Sequence, residues 1–274
     1  MDIEDSSSKA RDLVQQYARK IKTGVPIGSM SVSIYDSAWA SMVRKEVDGQ
    51  LQWLFPESFQ FVVDSQLQHG GWESYSSNMD GVLNTMAALL AMLTHSITTE
   101  STFPDLTANI SKAISWLEEK LQVWDVASTD HVGFEILVPM HLRLLSEHHQ
   151  FDFPKRKLLM EMYKKKMARF DPLFIYSGKQ TTFTHSLEAF IGQMDFDKVK
   201  KQLLNGSMMA SPSATAAYLI HSSVWDEEAE AYLKRVFKNG AGKGEGGFPS
   251  AFPSEAFELS WACISHAIGS RNPC

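Results

Sequence analysis

The chain is poor in cysteine, has no long apolar run and carries no excess of positive charge. Its two cysteines, Cys263 and Cys274, are too few for a disulfide framework or a cysteine-based zinc site. The longest uninterrupted apolar run, Met86 to Leu93, is far shorter than the roughly 20 residues that cross a bilayer. The first ten residues are acidic and polar, the opposite of a secretory signal. We therefore expect a soluble, cytoplasmic protein without a membrane span.

The charge balance narrows the range of partners. The 274 residues include 26 Lys and Arg against 32 Asp and Glu, which gives a net charge of -6 at pH 7. Nucleic acids are bound by clustered cations, so this composition argues against a nucleic-acid partner. The apolar fraction of 44% is enough for a sizeable core. The length fits one or two domains.

Apolar residues recur at helical spacing through most of the chain, and no stretch alternates convincingly like a strand. One stripe follows Pro56, which suits the first position of a helix, and this helix is expected to end at Gly70. Pro139 predicts a kink or break within 134–148. The pattern predicts an all-α fold of stacked helical hairpins. The predicted helices cover 6–23, 56–70, 83–93, 110–121, 134–148, 155–170, 184–192, 197–204, 213–221, 227–238 and 255–268.

A faint internal repeat accompanies these helices. Gln66 is followed by a glycine pair and Trp72, while Gln202 is followed by Asn-Gly and Met208. A glutamine amide at such a position can satisfy open backbone groups at a helix end and so tie adjacent hairpins together. The spacing is irregular, and the repeat favours a toroid of helical hairpins only weakly.

A series of short motifs follows in a defined order. They are Ser31-Val-Ser-Ile-Tyr-Asp-Ser-Ala-Trp39, Phe55-Pro-Glu-Ser-Phe59 with Gly70-Gly-Trp72, Leu83-Asn-Thr85, Gly133-Phe-Glu135, Thr184-His-Ser-Leu-Glu188, Asn205-Gly-Ser207 with Ser211-Pro-Ser213, and Gly246-Gly-Phe-Pro249 with Phe257-Glu258. In this order, and over about residues 10 to 268, the chain resembles the N-terminal part of class II diterpene cyclases. The resemblance is to the copalyl diphosphate synthase type, and especially to the fungal bifunctional ent-kaurene synthases.

The resemblance implies a fold and a domain organisation. In that family this region is the γ domain, an α-helical (α/α) barrel that forms half of the pocket where geranylgeranyl diphosphate is cyclised to copalyl diphosphate. We expect residues 1–30 to form an N-terminal helix and linker at the start of a β domain. Residues 31–274 would form the γ-like barrel, truncated before the catalytic Asp-x-Asp-Asp segment.

The family's initiating acid is not in this sequence. Class II cyclisation protonates an alkene with an aspartic acid of an Asp-x-Asp-Asp motif, kept protonated by its neighbours. The sequence has no such motif, and it has no Asp-Asp-x-x-Asp metal motif of class I enzymes. We therefore expect a truncated or partial cyclase that is inactive alone and that a β-domain polypeptide could complete. The alternative is a non-catalytic helical module that binds a prenyl diphosphate or another protein.

Two pocket residues are implied by the resemblance. His185 matches a histidine that in several plant members holds the water that takes the final proton, and a neutral imidazole suits that role. The family's asparagine partner is replaced here by Ser250, which can still bind water. His185 and Ser250 are thus the candidate water and base site. A hydrogen-bonded core histidine is the competing interpretation of His185.

The diphosphate end of the substrate has weaker candidates. Asp125 and Asp130 stand where the family has an acidic cluster implicated in magnesium and diphosphate binding, and two carboxylates are enough for Mg²⁺. An ordinary solvated loop is the competing interpretation of both residues. Arg169 lies near a family position that supplies a cation to the diphosphate. The implied cofactor is Mg²⁺ and the implied substrate is geranylgeranyl diphosphate.

Overall fold

Helices are the main elements of the computed structural model, which describes residues 11–12, 15, 28–74, 77–97, 106–254 and 257. The α-helices are α1 (Ile34–Ser41), α2 (Pro56–Asp64), α3 (Asn78–Ser96), α4 (Thr107–Gln122), α5 (Phe134–Leu145), α6 (Arg156–Met167), α7 (Pro172–Tyr176), α8 (Pro212–His221) and α9 (Glu227–Asn239). Shorter 3₁₀ segments cover Val126–Ser128, Thr182–Phe190 and Phe196–Gln202. Among the described residues, no helix has the length and apolar character needed to cross a membrane.

Two small antiparallel sheets complete the fold. Strand β1 (Val32–Ser33) pairs with β4 (Phe248–Pro249), and β2 (Arg44–Val47) pairs with β3 (Gln50–Trp53). The prediction of an all-α fold is confirmed, but the sequence pattern missed the hairpin formed by β2 and β3. Both strands are largely solvent-exposed and only four residues long. Strand β2 shows no alternation of apolar and polar residues, and the alternation of Gln50-Leu-Gln-Trp53 is too short to indicate a strand by itself.

The helix boundaries differ from the predicted ones in two places. Helix α2 ends at Asp64, well before Gly70, because residues 65–71 turn back in a loop that returns a hydrogen bond from the Leu67 amide to the Gly71 carbonyl. Helix α5 continues through Pro139, so the predicted break does not occur. Pro139 lies in the second turn, where its missing N–H leaves only the carbonyl of Glu135 without its usual partner. The predicted helices 6–23 and 255–268 fall mostly outside the described residues.

The inner helices form a closed ring, as an α/α barrel requires. Contacts run from α1 to α3, from α3 to α5, from α5 to the 3₁₀ segment Thr182–Phe190, from there to α8, and from α8 back to α1. Each inner element is followed in the chain by an outer one, namely α2, α4, α6, Phe196–Gln202 and α9. Helix α1 is buried on every side from Asp36 to Ser41, whereas α6 has only Leu159 buried. The core therefore lies inside the ring.

The glutamines of the sequence repeat do tie neighbouring elements together. The Gln66 amide donates to the carbonyls of Gly70 and Asn109, at 2.8 and 3.0 Å, which joins the loop after α2 to helix α4. The buried Gln202 amide donates to the carbonyls of Ile175 and Lys179, at 2.7 and 2.8 Å. Each glutamine thus joins its own segment to a neighbouring element through backbone carbonyls.

Candidate active-site cavity

A cavity of about 440 Å³ opens at one end of the barrel. It is lined by the first residues of α1, by Asp80, Leu83 and Asn84 of α3, by Leu137 of α5, and by the segments around His185 and Ser211. The N-terminal turns of the inner helices thus all meet here. A smaller cavity of about 320 Å³, lined mainly by apolar side chains, lies at the C-terminal ends of the same helices.

Helix capping places carboxylates in the larger cavity. Ser33 caps α1 by accepting a hydrogen bond from the Asp36 amide at 3.2 Å, and Ser77 caps α3 in the same way with the Asp80 amide at 3.1 Å. The spacing Ser-x-x-Asp is a variant of the capping box, with the acid at the third helical position. Because the helices begin at the cavity, this local rule brings both carboxylates to its wall.

The structure brings His185 and Ser250 together in this cavity. Both are exposed lining residues, one following Thr184 in a 3₁₀ segment and the other following β4. The Nδ1 atom of His185 lies 3.1 Å from the carbonyl oxygen of Met209. A carbonyl can only accept, so in the neutral ring Nδ1 carries the hydrogen and Nε2 keeps its lone pair. This arrangement leaves Nε2 as an acceptor for a water molecule or a proton.

A buried carboxyl group lies beside this pair and was missed in the sequence. Glu188 is 2% exposed, and its Oε1 accepts a hydrogen bond from the Tyr35 hydroxyl at 3.0 Å. Burial raises the pKa of Glu188 to about 8; the charge of Asp36 adds to this rise, while the residue's own backbone amide and Tyr35 oppose it. Glu188 is therefore largely a neutral carboxylic acid at pH 7.

Asp36 is the second buried carboxyl of the cavity wall. Its Oδ1 accepts from the Ser213 amide at 3.0 Å, in the first turn of α8. Burial raises the pKa of Asp36, although hydrogen bonds from Ser33 and Ser213 and the nearby His185 act in the opposite direction. Asp36 thus joins the N-terminal turns of α1 and α8 beneath the cavity.

The cavity wall is acidic. Glu73, Asp80 and Asp36 line it beside the neutral Glu188, and its residues include no lysine or arginine among those the structure describes. The Nε2 atom of His131 lies 2.8 Å from Asp80 Oδ1 at this wall. A bare diphosphate would meet repulsion at this wall, so its charge would have to be neutralised by other groups.

The three residues predicted for the diphosphate end lie elsewhere. Asp125, Asp130 and Arg169 are exposed and do not line the cavity. Asp125 caps the 3₁₀ segment Val126–Ser128, with Oδ1 accepting from the Ala127 amide and Oδ2 from the Ser128 hydroxyl. Across the part of the chain that the structure describes, no three His, Cys, Asp or Glu side chains are grouped as a metal site.

Tyr35, Asp36 and Glu188 could have been singled out only through the motifs that contain them. Tyr35 and Asp36 belong to the segment 31–39, and Glu188 follows His185 in the segment 184–188. A carboxylate in a sequence ordinarily indicates a solvated surface, and nothing in either segment alone shows that the two acids are buried together.

Comparison with known proteins gives relatives among fungal diterpene synthases, although no family model matches the chain. The chain is 47% identical over 265 residues to pimaradiene synthase of Emericella nidulans, covering 95% of this chain and 27% of that protein. It is 45% identical over 266 residues to copalyl diphosphate synthase of Talaromyces verruculosus, with the same coverage. An ent-kaur-16-ene synthase of Phaeosphaeria is 46% identical over 263 residues, covering 92% of this chain and 28% of that protein.

Solved structures show the same fold. The chain matches ent-copalyl diphosphate synthase from Arabidopsis thaliana, in complex with an aza-dihydrogeranylgeranyl thiolodiphosphate, with a TM-score of 0.69 and 22% identity over 96% of this chain and 37% of that chain. Abietadiene synthase from Abies grandis matches with a TM-score of 0.69 and 24% identity, covering 94% of this chain and 33% of that chain. The chain spans little more than a quarter of the length of the curated relatives described above. Over that span it is a homologue of the fungal copalyl diphosphate and ent-kaurene synthases, and its fold is that of the class II diterpene cyclases.

Proposed function

We propose that this chain supplies one wall of the site in which a class II diterpene cyclase binds geranylgeranyl diphosphate and forms copalyl diphosphate. The observation that carries the proposal is the meeting of His185 and Ser250 in one cavity, with His185 Nε2 free to accept. A water molecule held between these two side chains would take the proton that the final carbocation loses. The relative from Arabidopsis, whose structure holds a prenyl thiolodiphosphate, supports a substrate of this class.

The chain is proposed to be inactive by itself. Protonation of an alkene needs a strong, positioned acid, and this sequence has no Asp-x-Asp-Asp motif. The buried acid it does have, Glu188, has a raised pKa and is therefore a weak acid. A β-domain polypeptide carrying the motif would complete the pocket over the cavity.

A complementation assay tests this function. The full chain is incubated with geranylgeranyl diphosphate and Mg²⁺, alone or with the Asp-x-Asp-Asp region of a fungal relative, and dephosphorylated products are examined for bicyclic alcohols. We expect product only from the mixture. Product from the chain alone would refute the need for a second acid. Binding without product, even in the mixture, would favour the non-catalytic prenyl-diphosphate module.

Variants of the same mixture test the two site residues. We expect His185→Ala to lower the rate by about 10²-fold or more, as for the loss of a general base, and Ser250→Ala to lower it less. His149→Ala is the matched control, because His149 pairs with Glu118 outside the cavity and its loss should leave the rate unchanged. Equal rates for His185→Ala and the control would remove His185 from the mechanism.

Magnesium enters this proposal as the counter-ion of the diphosphate. Asp125 accepts hydrogen bonds at both carboxylate oxygens within its own turn, and among the described residues neither it nor Asp130 belongs to a cluster of three potential metal ligands. These residues and Arg169 would contact the ion or the diphosphate only when substrate is present. We expect calorimetry to show Mg²⁺ binding only with geranylgeranyl diphosphate, weakened by Asp125→Asn and Arg169→Gln. Unchanged affinity in both variants would overturn these assignments.

A further inference from the structure

Three buried polar atoms without hydrogen-bond partners lie around Tyr35, between the two cavities. They are Nε1 of Trp39, Nε2 of His141 and Oε2 of Glu188. Their side chains are 1%, 0% and 2% exposed, so bulk water does not reach them. An unpaired buried polar group is costly, and folded proteins rarely leave three such groups together.

The side chains that carry these atoms are in mutual contact. The ring centroids of Tyr35 and His141 are 5.5 Å apart, those of Trp39 and His141 are 6.0 Å apart, and those of Tyr35 and Trp39 are 6.5 Å apart. Glu188 joins them through its hydrogen bond with the Tyr35 hydroxyl. The Trp39 N–H lies close enough to that hydroxyl to oppose the rise of its pKa, but it makes no well-formed hydrogen bond.

The chemistry of the three atoms is complementary to one water molecule. The Trp39 indole can only donate. His141 Nδ1 lies 2.9 Å from the Leu137 carbonyl and must carry the hydrogen, so Nε2 can only accept. A water molecule would accept from Trp39 and donate to His141, which leaves one lone pair and one hydrogen for Glu188 Oε2. It can therefore accept from the neutral acid or donate to the carboxylate, and the bond to the carboxylate is the stronger because it is charge-assisted. About three partners is typical of buried water.

We propose that the barrel interior binds one water molecule between Trp39, His141 and Glu188, and that this water positions the Glu188 carboxyl against Tyr35 in the wall of the larger cavity. Trp39 and His141 are then positioning residues that act on the cavity through the water. The site is separate from the His185 and Ser250 pair, and it does not depend on the proposed reaction.

A crystal structure of the full chain at a resolution that shows ordered water is the direct test. We expect a density peak within hydrogen-bond distance of at least two of the three atoms. An empty interior, or a direct hydrogen bond from Trp39 Nε1 to His141 Nε2, would overturn the proposal.

A solution measurement provides an independent test. A nuclear Overhauser contact from a bound water is expected at the Trp39 indole hydrogen, with the signal assigned by its loss in Trp39→Phe. Trp72 is the matched control, because it is equally buried but its Nε1 donates to the Val62 carbonyl at 2.8 Å. A water contact at Trp39 and none at Trp72 supports the site. The absence of a water contact at Trp39 as well as at Trp72 refutes it.

The positioning role has its own signature. A protonated carboxylic acid gives a carbonyl stretching band in infrared spectra. The band of Glu188 is the one that is lost in Glu188→Gln, and its intensity against pH measures the ionisation of Glu188. Removing the water should disfavour the ionised form further, so His141→Leu is expected to move the loss of this band to higher pH. Asp36 and Tyr35 also face Glu188 and stay in place in this variant. An unchanged titration in a folded His141→Leu protein would show that the water does not act on Glu188.

Discussion

The buried Glu188 makes stability fall with rising pH in a window where few other groups act. Burial is the main cause that raises the pKa of this carboxyl from an ordinary 4.5 to about 8, so between these values the folded protein holds a proton that the unfolded chain has released. Stability is therefore highest below pH 4.5 for this group and is lost as the pH rises towards 8. The slope is about 1.4 kcal/mol per pH unit.

Other buried groups titrate too, and they determine the pH range over which the effect of Glu188 can be measured. Burial lowers the pKa of His95 and His141 to about 4 and also lowers that of His221, so these histidines increase stability as the pH rises. At pH 6.5 half of the unfolded imidazole is still protonated, so His95 and His141 each add about 0.4 kcal/mol more above that pH. Burial raises the pKa of Tyr35 well above 10, so this group affects stability only in alkali. From pH 6.5 to 8 the change due to Glu188 is about 1.6 kcal/mol, because the slope falls as the folded group begins to ionise.

The assay is urea unfolding of the wild-type chain and of Glu188→Gln at pH 6.5 and pH 8. We expect the change in stability over this range to be about 1.6 kcal/mol less favourable in the wild type than in the variant, which has no proton to release. The buried histidines contribute equally to both proteins. Glu135→Gln is the control. Burial acts to raise the pKa of Glu135, but Lys166 at 2.6 Å outweighs it and lowers that pKa, so this group titrates only in acid. Equal pH slopes in wild type and Glu188→Gln would refute a protonated Glu188.

Three further changes test the architecture by urea unfolding. Ser33→Ala removes the cap of α1 and should cost about 1 kcal/mol, and no loss would show that the cap is dispensable. Gly70→Ala should cost at least 1 kcal/mol more than Gly244→Ala, since both have positive φ but only the first Cβ would clash, with backbone atoms of Lys112. Equal costs would contradict the clash. Gln202→Leu should cost about 1–3 kcal/mol by removing the donor to the Lys179 carbonyl, whereas the Ile175 carbonyl keeps the Gly178 amide, and a neutral effect would show that another group satisfies Lys179.

The sequence predicted those parts of the fold that have a one-sided helical pattern. Helices α4 and α9 have apolar stripes and lie close to where the periodicity placed them. The sequence pattern does not predict helix α1, because this helix is buried all round from Asp36 to Ser41 and has no polar face. The segment Thr182–Phe190 has helical spacing but folds as 3₁₀ turns interrupted at Ser186, a difference that periodicity does not resolve.

The candidate site was predictable only in part, for a related reason. His185 and Ser250 were identified through their place in motifs that resemble a family, and they do line one cavity. Glu188 and Asp36 were missed because the burial of a carboxyl depends on which elements close over it. Here the contact joins Tyr35 of α1 to Glu188, far apart in the chain, and only the closed ring of helices brings them together.

The charge of the larger cavity follows from the direction in which the inner helices run. Serine caps start the inner helices at the cavity, so the positive ends of α1, α3 and α8 point towards it. The carboxyl groups of Asp36 and Asp80 lie at these positive helix ends, and the cavity lining is acidic rather than basic. An acidic wall repels a diphosphate and attracts positive charge. If the chain forms part of a cyclase pocket, this wall therefore suits the end of the substrate where the carbocation develops, and the diphosphate belongs outside it.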